Sequence, residues 1–192
     1  MTSHAETQTP SGKDAISSND WSLFIASFMA LIAAGIGFSV RGAILGDWAA
    51  QYGFTQSELG TITGGGLTGF GITIIVLSFI ADKIGYGPLM VLGFLFHLSS
   101  AIVTFFATTA FDQYGKEGAY TCLNAGMWLF ALGNGTCEAV INPLTATLFP
   151  KNKTHWLNIL HAGWPGGLIL GGLASYFMAG GAGAKPVPWQ FQ

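Results

Sequence analysis

The sequence predicts an all-α, polytopic transmembrane helix bundle with five spans and the start of a sixth. Apolar residues make up 51% of the 192-residue chain, whereas charged residues make up only 8%. A soluble globular domain typically carries about 25% charged residues, so this composition cannot build a water-exposed surface. Five long segments also carry almost no charge, and a bilayer core needs about 20 apolar residues per helix.

These five segments are separated by short polar breaks. They cover residues 21–46, 59–81, 84–111, 118–150 and 154–184. Arg41 is the charged residue inside the first segment, and Glu138 is the charged residue inside the fourth. The runs are continuous and longer than the alternating strands of an outer-membrane barrel, which are about 10 residues long. Helices are therefore favoured, and the short connections predict antiparallel neighbours.

The two ends of the chain differ from the predicted spans. Residues 1–20 are polar, and no basic start is followed by an apolar run. This pattern predicts a short disordered tail and not a signal peptide. Residues 186–192 end in Trp-Gln-Phe-Gln, which resembles the start of a sixth span. We therefore expect this chain to be a fragment of a longer membrane protein.

The lysines favour a cytoplasmic N-terminus in a cell membrane, inner or plasma. With that orientation the cytoplasmic side carries Lys13, Lys83, Lys151 and Lys153, and the outer side carries Lys116 and Lys185. Arg41 is not counted because it lies within a span. The excess of cytoplasmic lysines follows the positive-inside rule.

Several classes of partner are not expected. The net charge of −2 is too balanced for a nucleic-acid partner. Cys122 and Cys137 lie on one predicted helix, about 22 Å apart, which is beyond the reach of a disulfide. The chain has no zinc-type spacing. We expect the lipid bilayer as a partner, and we expect no metal and no cofactor.

Glu138 is the first candidate for chemistry, because it precedes Lys151 by about 20 Å of helix and so lies near mid-membrane. A charged group at a helix centre costs about 2.5–3.5 kcal/mol on insertion scales, so Glu138 needs a polar cavity or a proton. Alternatively, a neutral Glu138 is hydrogen-bonded to nearby backbone.

A polar stripe surrounds Glu138 on the fourth span. Asn134, Glu138, Asn142 and Thr145 recur at steps of three and four, which places them on one helix face. The stripe lines a cavity in one interpretation and forms polar contacts between packed helices in the other.

Arg41 lies about 30 Å along its helix from Trp21, in the outer half of the membrane. It either extends to the outer headgroups or faces the cavity, where it pairs with Glu138 or an anionic substrate. Pairing with Glu138 would make proton coupling near neutral pH harder.

Two segments carry a resemblance to the major facilitator superfamily. Residues 78–87 read SFIADKIGYG, between the second and third spans. The superfamily signature there is GxxxD[RK]xG[RK][RK]; Asp82, Lys83 and Gly85 match it, whereas Ser78 replaces the first glycine and the last two positions are not basic.

Residues 138–143 (EAVINP) and 157–165 (LNILHAGWP) are similar to the fucose-permease-like branch. That branch has Glu-x-x-x-Asn-Pro in span four and Leu-Asn-x-x-Gln-Ala-x-x-Pro in span five. The resemblance covers residues 21–192, which look like a truncated N-terminal six-helix half.

The resemblance implies a fold and a set of roles. In that branch twelve helices form two halves around a central cavity, and sugars move with protons. Glu138 matches the protonatable carboxylate, and His161 replaces a substrate-contacting Gln. Arg41 replaces an intramembrane Asp of span one. Asp82 and Lys83 match a loop that acts as a conformational latch; alternatively, Lys83 is an ordinary topology signal.

The predicted substrate contacts are polar or aromatic side chains on spans four and five, namely Asn134, Asn142, Asn158, His161 and Trp164. The His161 imidazole can hydrogen-bond sugar hydroxyls; otherwise it is a satisfied core histidine. Trp164 either stacks on a sugar ring or packs against its neighbours.

The sequence thus predicts a secondary transporter of a sugar or similar small polar solute, completed by a missing C-terminal half. Proton symport and proton-independent uniport both remain open. From another class, a non-transporting scaffold or sensor is the alternative. We expect no enzyme, because His97 has no nucleophile elbow beside it.

Overall fold

The computed structural model describes residues 16–192. The helices are α1 (Ser18–Ala43), α2 (Leu45–Tyr52), α3 (Gln56–Ser78), α4 (Ala81–Ile84), α5 (Tyr86–Phe105), α6 (Ala107–Leu148) and α7 (Lys153–Met178). Two 3₁₀ turns follow, at Gly181–Gly183 and Trp189–Phe191. No strand occurs in residues 16–192, so the predicted all-helical class is confirmed.

Three helical stretches in the described residues are long and apolar enough to cross a membrane. They are Ser18–Tyr52, which joins α1 and α2, Gln56–Ser78 and Tyr86–Phe105. Only 17–28% of the residues in their most apolar windows are buried inside the protein. This confirms the membrane-compatible class, whereas the assignment of α6 and α7 as further spans stays a prediction.

The outward faces of the helices carry large apolar side chains. Leu67 and Phe79 around α3 are 63% and 79% exposed, Phe94 on α5 is 64% exposed and Ile169 on α7 is 65% exposed. A soluble protein rarely leaves such contiguous apolar surface in water. Lipid tails cover these faces without penalty, since they are as apolar as leucine.

The first helix begins at a capping box. The Ser17 hydroxyl accepts a bond from the Asp20 backbone N–H (3.1 Å), and the Asp20 carboxylate accepts one from the Ser17 N–H (2.9 Å). Helix α1 therefore starts at Ser18, before the boundary predicted at Trp21. The predicted tail up to residue 15 lies outside the described residues.

The loop after α2 is fixed by local chemistry. Gly53 has φ +70°, a conformation that favours glycine. Thr55 and Glu58 then form a second capping box at the start of α3. The Glu58 carboxylate also pairs with Lys116 Nζ at 2.8 Å, which ties the start of α3 to α6.

Residues 84–111, predicted as one span, contain a break. Helix α5 ends at Phe105 and α6 begins at Ala107. The polar break that the charges marked at 112–117 lies inside the α6 range, where Gly115 has φ +67° and interrupts the helix. The charged residues mark where the chain leaves the apolar layer, and the helix is interrupted at Gly115 within that polar stretch.

Helix α6 is central and packs against α3 and α5, whereas α1 packs chiefly against α7. The α1–α7 contact is lined by glycines at steps of four on α7: Gly163, Gly167 and Gly171. A Cβ added to Gly171 would lie 2.9 Å from the Ile36 carbonyl oxygen, and one added to Gly167 would overlap the Ile32 carbonyl oxygen. Glycine is required here because the two backbones touch.

We predict that Gly167→Ala destabilises the protein by about 1–3 kcal/mol, because the new methyl meets backbone that cannot move aside. Gly166→Ala is the matched control, since a Cβ at Gly166 meets nothing within 4 Å. Thermal unfolding in detergent, followed by circular dichroism, measures both. Equal stability of the two variants would contradict the close α1–α7 approach.

Candidate functional site

Arg41 lies inside the bundle, where α1, α5 and α6 meet. Its Nη2 donates to Ser100 Oγ on α5 (3.0 Å), and its Nη1 donates to the Gly37 carbonyl (3.4 Å). The guanidinium carbon lies 3.8 Å from the centroid of the Phe130 ring on α6, within cation–π range. These contacts favour the inward-facing interpretation of Arg41 over extension to the headgroups.

Ser100 connects Arg41 to the backbone of α6. Its side chain is fully buried, and its hydroxyl donates to the Gly126 carbonyl at 2.7 Å while it accepts from Arg41. The sequence did not identify Ser100 or Phe130 as partners of Arg41. Arg41 and Ser100 are 59 residues apart, and no local sequence pattern predicts a contact between residues so far apart in the chain.

Asn134 and His97 form a polar contact between α5 and α6. Asn134 is 2% exposed, and its Nδ2 donates to the Phe130 carbonyl at 2.9 Å. Its Oδ1 lies 3.4 Å from His97 Nε2, and His97 Nδ1 lies 2.8 Å from the Gly93 carbonyl. For Asn134 this geometry favours the interpretation as a contact between packed helices; its role in substrate binding stays a prediction.

Glu138 and Asn142 form a polar pair one turn apart on α6. Asn142 Nδ2 donates to Glu138 Oε2 at 2.8 Å, and both residues are half-buried. Asn142 Oδ1 and Thr145 Oγ1 are buried without a partner among the described residues. Arg41 forms no ion pair with Glu138 in the described part of the chain. The carboxylate can therefore accept a further donor or take up a proton.

The three candidates on α7 are exposed at its surface. The side chains of Asn158 and His161 make no hydrogen bond within residues 16–192, and none joins them to Glu138. Trp164 is 38% exposed, and its ring packs edge-on against Phe38 with 6.0 Å between centroids. The Trp164 ring thus packs on one side and leaves part of its surface free.

The loop candidates Asp82, Lys83 and Gly85 lie at the turn from α4 to α5. Gly85 has φ +91°, which a residue with a side chain rarely adopts. Asp82 Oδ1 accepts a bond from the Tyr86 hydroxyl at 3.2 Å. Asp82 and Lys83 are exposed, and their role as a latch stays a prediction.

No protein-family model, curated protein or solved structure matches this chain. The similarity to the major facilitator superfamily therefore rests on the motifs at 78–87, 138–143 and 157–165.

Within the described residues no group of three His, Cys, Asp or Glu side chains could hold a metal ion.

We predict that Ser100→Ala destabilises the protein by about 1–3 kcal/mol, because the change leaves buried polar groups on Arg41 and Gly126 without their partner. Ser99→Ala is the control: Ser99 is half-buried and its hydroxyl makes no hydrogen bond in the described residues. Denaturant-induced unfolding in detergent micelles measures the free energy of unfolding of both variants. A Ser100→Ala protein as stable as the control would contradict the Arg41–Ser100 contact.

Proposed function

We propose that this chain forms one half of a secondary transporter of the major facilitator type. The observation that carries the proposal is the half-buried Glu138–Asn142 pair on α6, which no described cation neutralises. A carboxylate at membrane depth is unfavourable unless it is protonated or reaches water. A solvent path between two transporter halves supplies that access.

The proposal includes five membrane spans. Helices α6 and α7 would cross the bilayer beside the three apolar stretches, with the N-terminus in the cytoplasm. The short connection 149–152 between them supports antiparallel crossing. Gly115 supports a start of the fourth span beyond the polar residues 112–117, since the helix is interrupted there.

The second half would cover the polar surface of α7. Asn158, His161 and Trp164 are exposed in the described chain, and a partner half would turn this face toward an enclosed cavity. Amide, imidazole and indole groups suit a sugar or another small hydroxylated solute, because they offer hydrogen bonds and a stacking face. These side chains support a polar solute and leave its identity to experiment.

Uptake of labelled L-fucose by the full-length protein in proteoliposomes tests the proposal. We predict that an inward proton gradient drives accumulation and that Glu138→Gln abolishes it, because the amide cannot carry the proton. Glu117→Gln is the control, since Glu117 is an exposed carboxylate at the end of the bundle.

Two other outcomes separate the alternatives. Sugar uptake that is independent of the proton gradient and is unchanged in the Glu138→Gln variant would eliminate proton symport and indicate a uniporter. Binding of the sugar without translocation would contradict transport and favour a scaffold or sensor.

A further inference from the structure

The positive charge of Arg41 is not neutralised by any carboxylate in the described part of the chain. Its guanidinium has five N–H donors, and two of them bond to the neutral oxygens of Ser100 and Gly37. The Phe130 ring covers one face. Arg41 Nε is buried and has no hydrogen-bond partner. A buried N–H without an acceptor is unfavourable, so the guanidinium of Arg41 retains unused donor capacity.

The carboxylates on neighbouring elements are engaged elsewhere or exposed. Glu138 is bonded to Asn142, and Glu58 is paired with Lys116. Asp47 on α2 is exposed and lines a separate pocket near the C-terminal segment. The missing counter-charge of Arg41 is therefore not one of these side chains.

A cavity of about 190 Å³ adjoins Arg41 between α1, α5 and the C-terminal segment. Its polar lining consists of Arg41, Thr104, Gln190 and Gln192, and its apolar lining includes Ile44 and Phe105. The size of this cavity and its single cationic lining residue, Arg41, suit a small molecule with one anionic group.

We propose that this cavity binds a small organic monocarboxylate bearing a hydroxyl group. The carboxylate accepts from the Nη1 and Nη2 N–H groups of Arg41 that are not bonded to Gly37 or Ser100, since guanidinium donors match carboxylate geometry. Thr104 and the two glutamines offer hydrogen bonds to the hydroxyl, and Ile44 and Phe105 pack against the short carbon chain. The cavity shares no lining residue with Glu138 or with the candidates on α7, so this site is separate from the proposed transport site.

Isothermal titration of the full-length protein in nanodiscs tests the assignment, with L-lactate as the probe and lactamide as its neutral analogue. We expect lactate to bind and lactamide to bind at least about tenfold more weakly. Arg41→Gln should weaken lactate binding by a similar factor. Lys185→Gln is the control, because Lys185 is an exposed cation that does not line the cavity.

A second pair of variants serves if Arg41→Gln does not fold. Thr104→Val keeps the side-chain shape and removes a hydroxyl from the cavity, so lactate binding should weaken severalfold. Thr109→Val changes an exposed threonine outside the cavity and should bind lactate like the wild type.

The results separate this inference from the proposed function. No lactate binding, equal binding of lactate and lactamide, or equal effects of the cavity and control variants would overturn the monocarboxylate site. Fucose uptake without lactate binding would overturn the site alone. Lactate binding without uptake of lactate or fucose would overturn transport and leave the binding site standing.

Discussion

The apolar outer faces of the helices are the constraint on which the rest of the structure depends. Side chains such as Phe79, Phe94 and Ile169 point away from the protein, and lipid is the solvent that covers them without penalty. Backbone polar groups have no partner in lipid, so each segment must satisfy them internally as a helix. The polar side chains are consequently held between helices, where Arg41, Ser100 and Asn134 are found.

Close helix contact positions these polar groups. Lipid gives no hydrophobic driving force between helices, so packing requires backbones to approach closely. Gly35 on α1 faces Gly167 on α7, and a Cβ on either residue would overlap the other helix. Arg41 follows Gly35 on the same helix and reaches α5 and α6, while α7 presents His161 at the surface. The contact between these glycines thus holds α1, which carries Arg41, against α7, which carries His161.

The helices could be predicted from the sequence because charge-free runs report directly on the lipid environment. The helix caps at Ser17 and Thr55 could also be predicted, because Asp20 and Glu58 follow them at the spacing of a capping box. The break at Phe106 could not be predicted, because no charge or proline marks it. Hydropathy locates the membrane layer better than it locates helix ends.

The candidate site was predictable only along single helices. Spacing placed Glu138 and Asn142 one turn apart, and the structure joins them by a hydrogen bond. Arg41 was recognised as an intramembrane charge, but its partners on α5 and α6 depend on how distant helices pack.

Helices α6 and α7 are proposed to cross the bilayer and so enclose the polar groups. Labelling of single cysteines with a membrane-impermeant maleimide tests this crossing, with Cys122 and Cys137 replaced by serine. Gln113→Cys, before α6 enters the membrane, should react on intact cells, whereas Asn152→Cys, in the loop after α6, should react only once the cells are permeabilised. Reaction of both positions from the same side would contradict the five-span bundle.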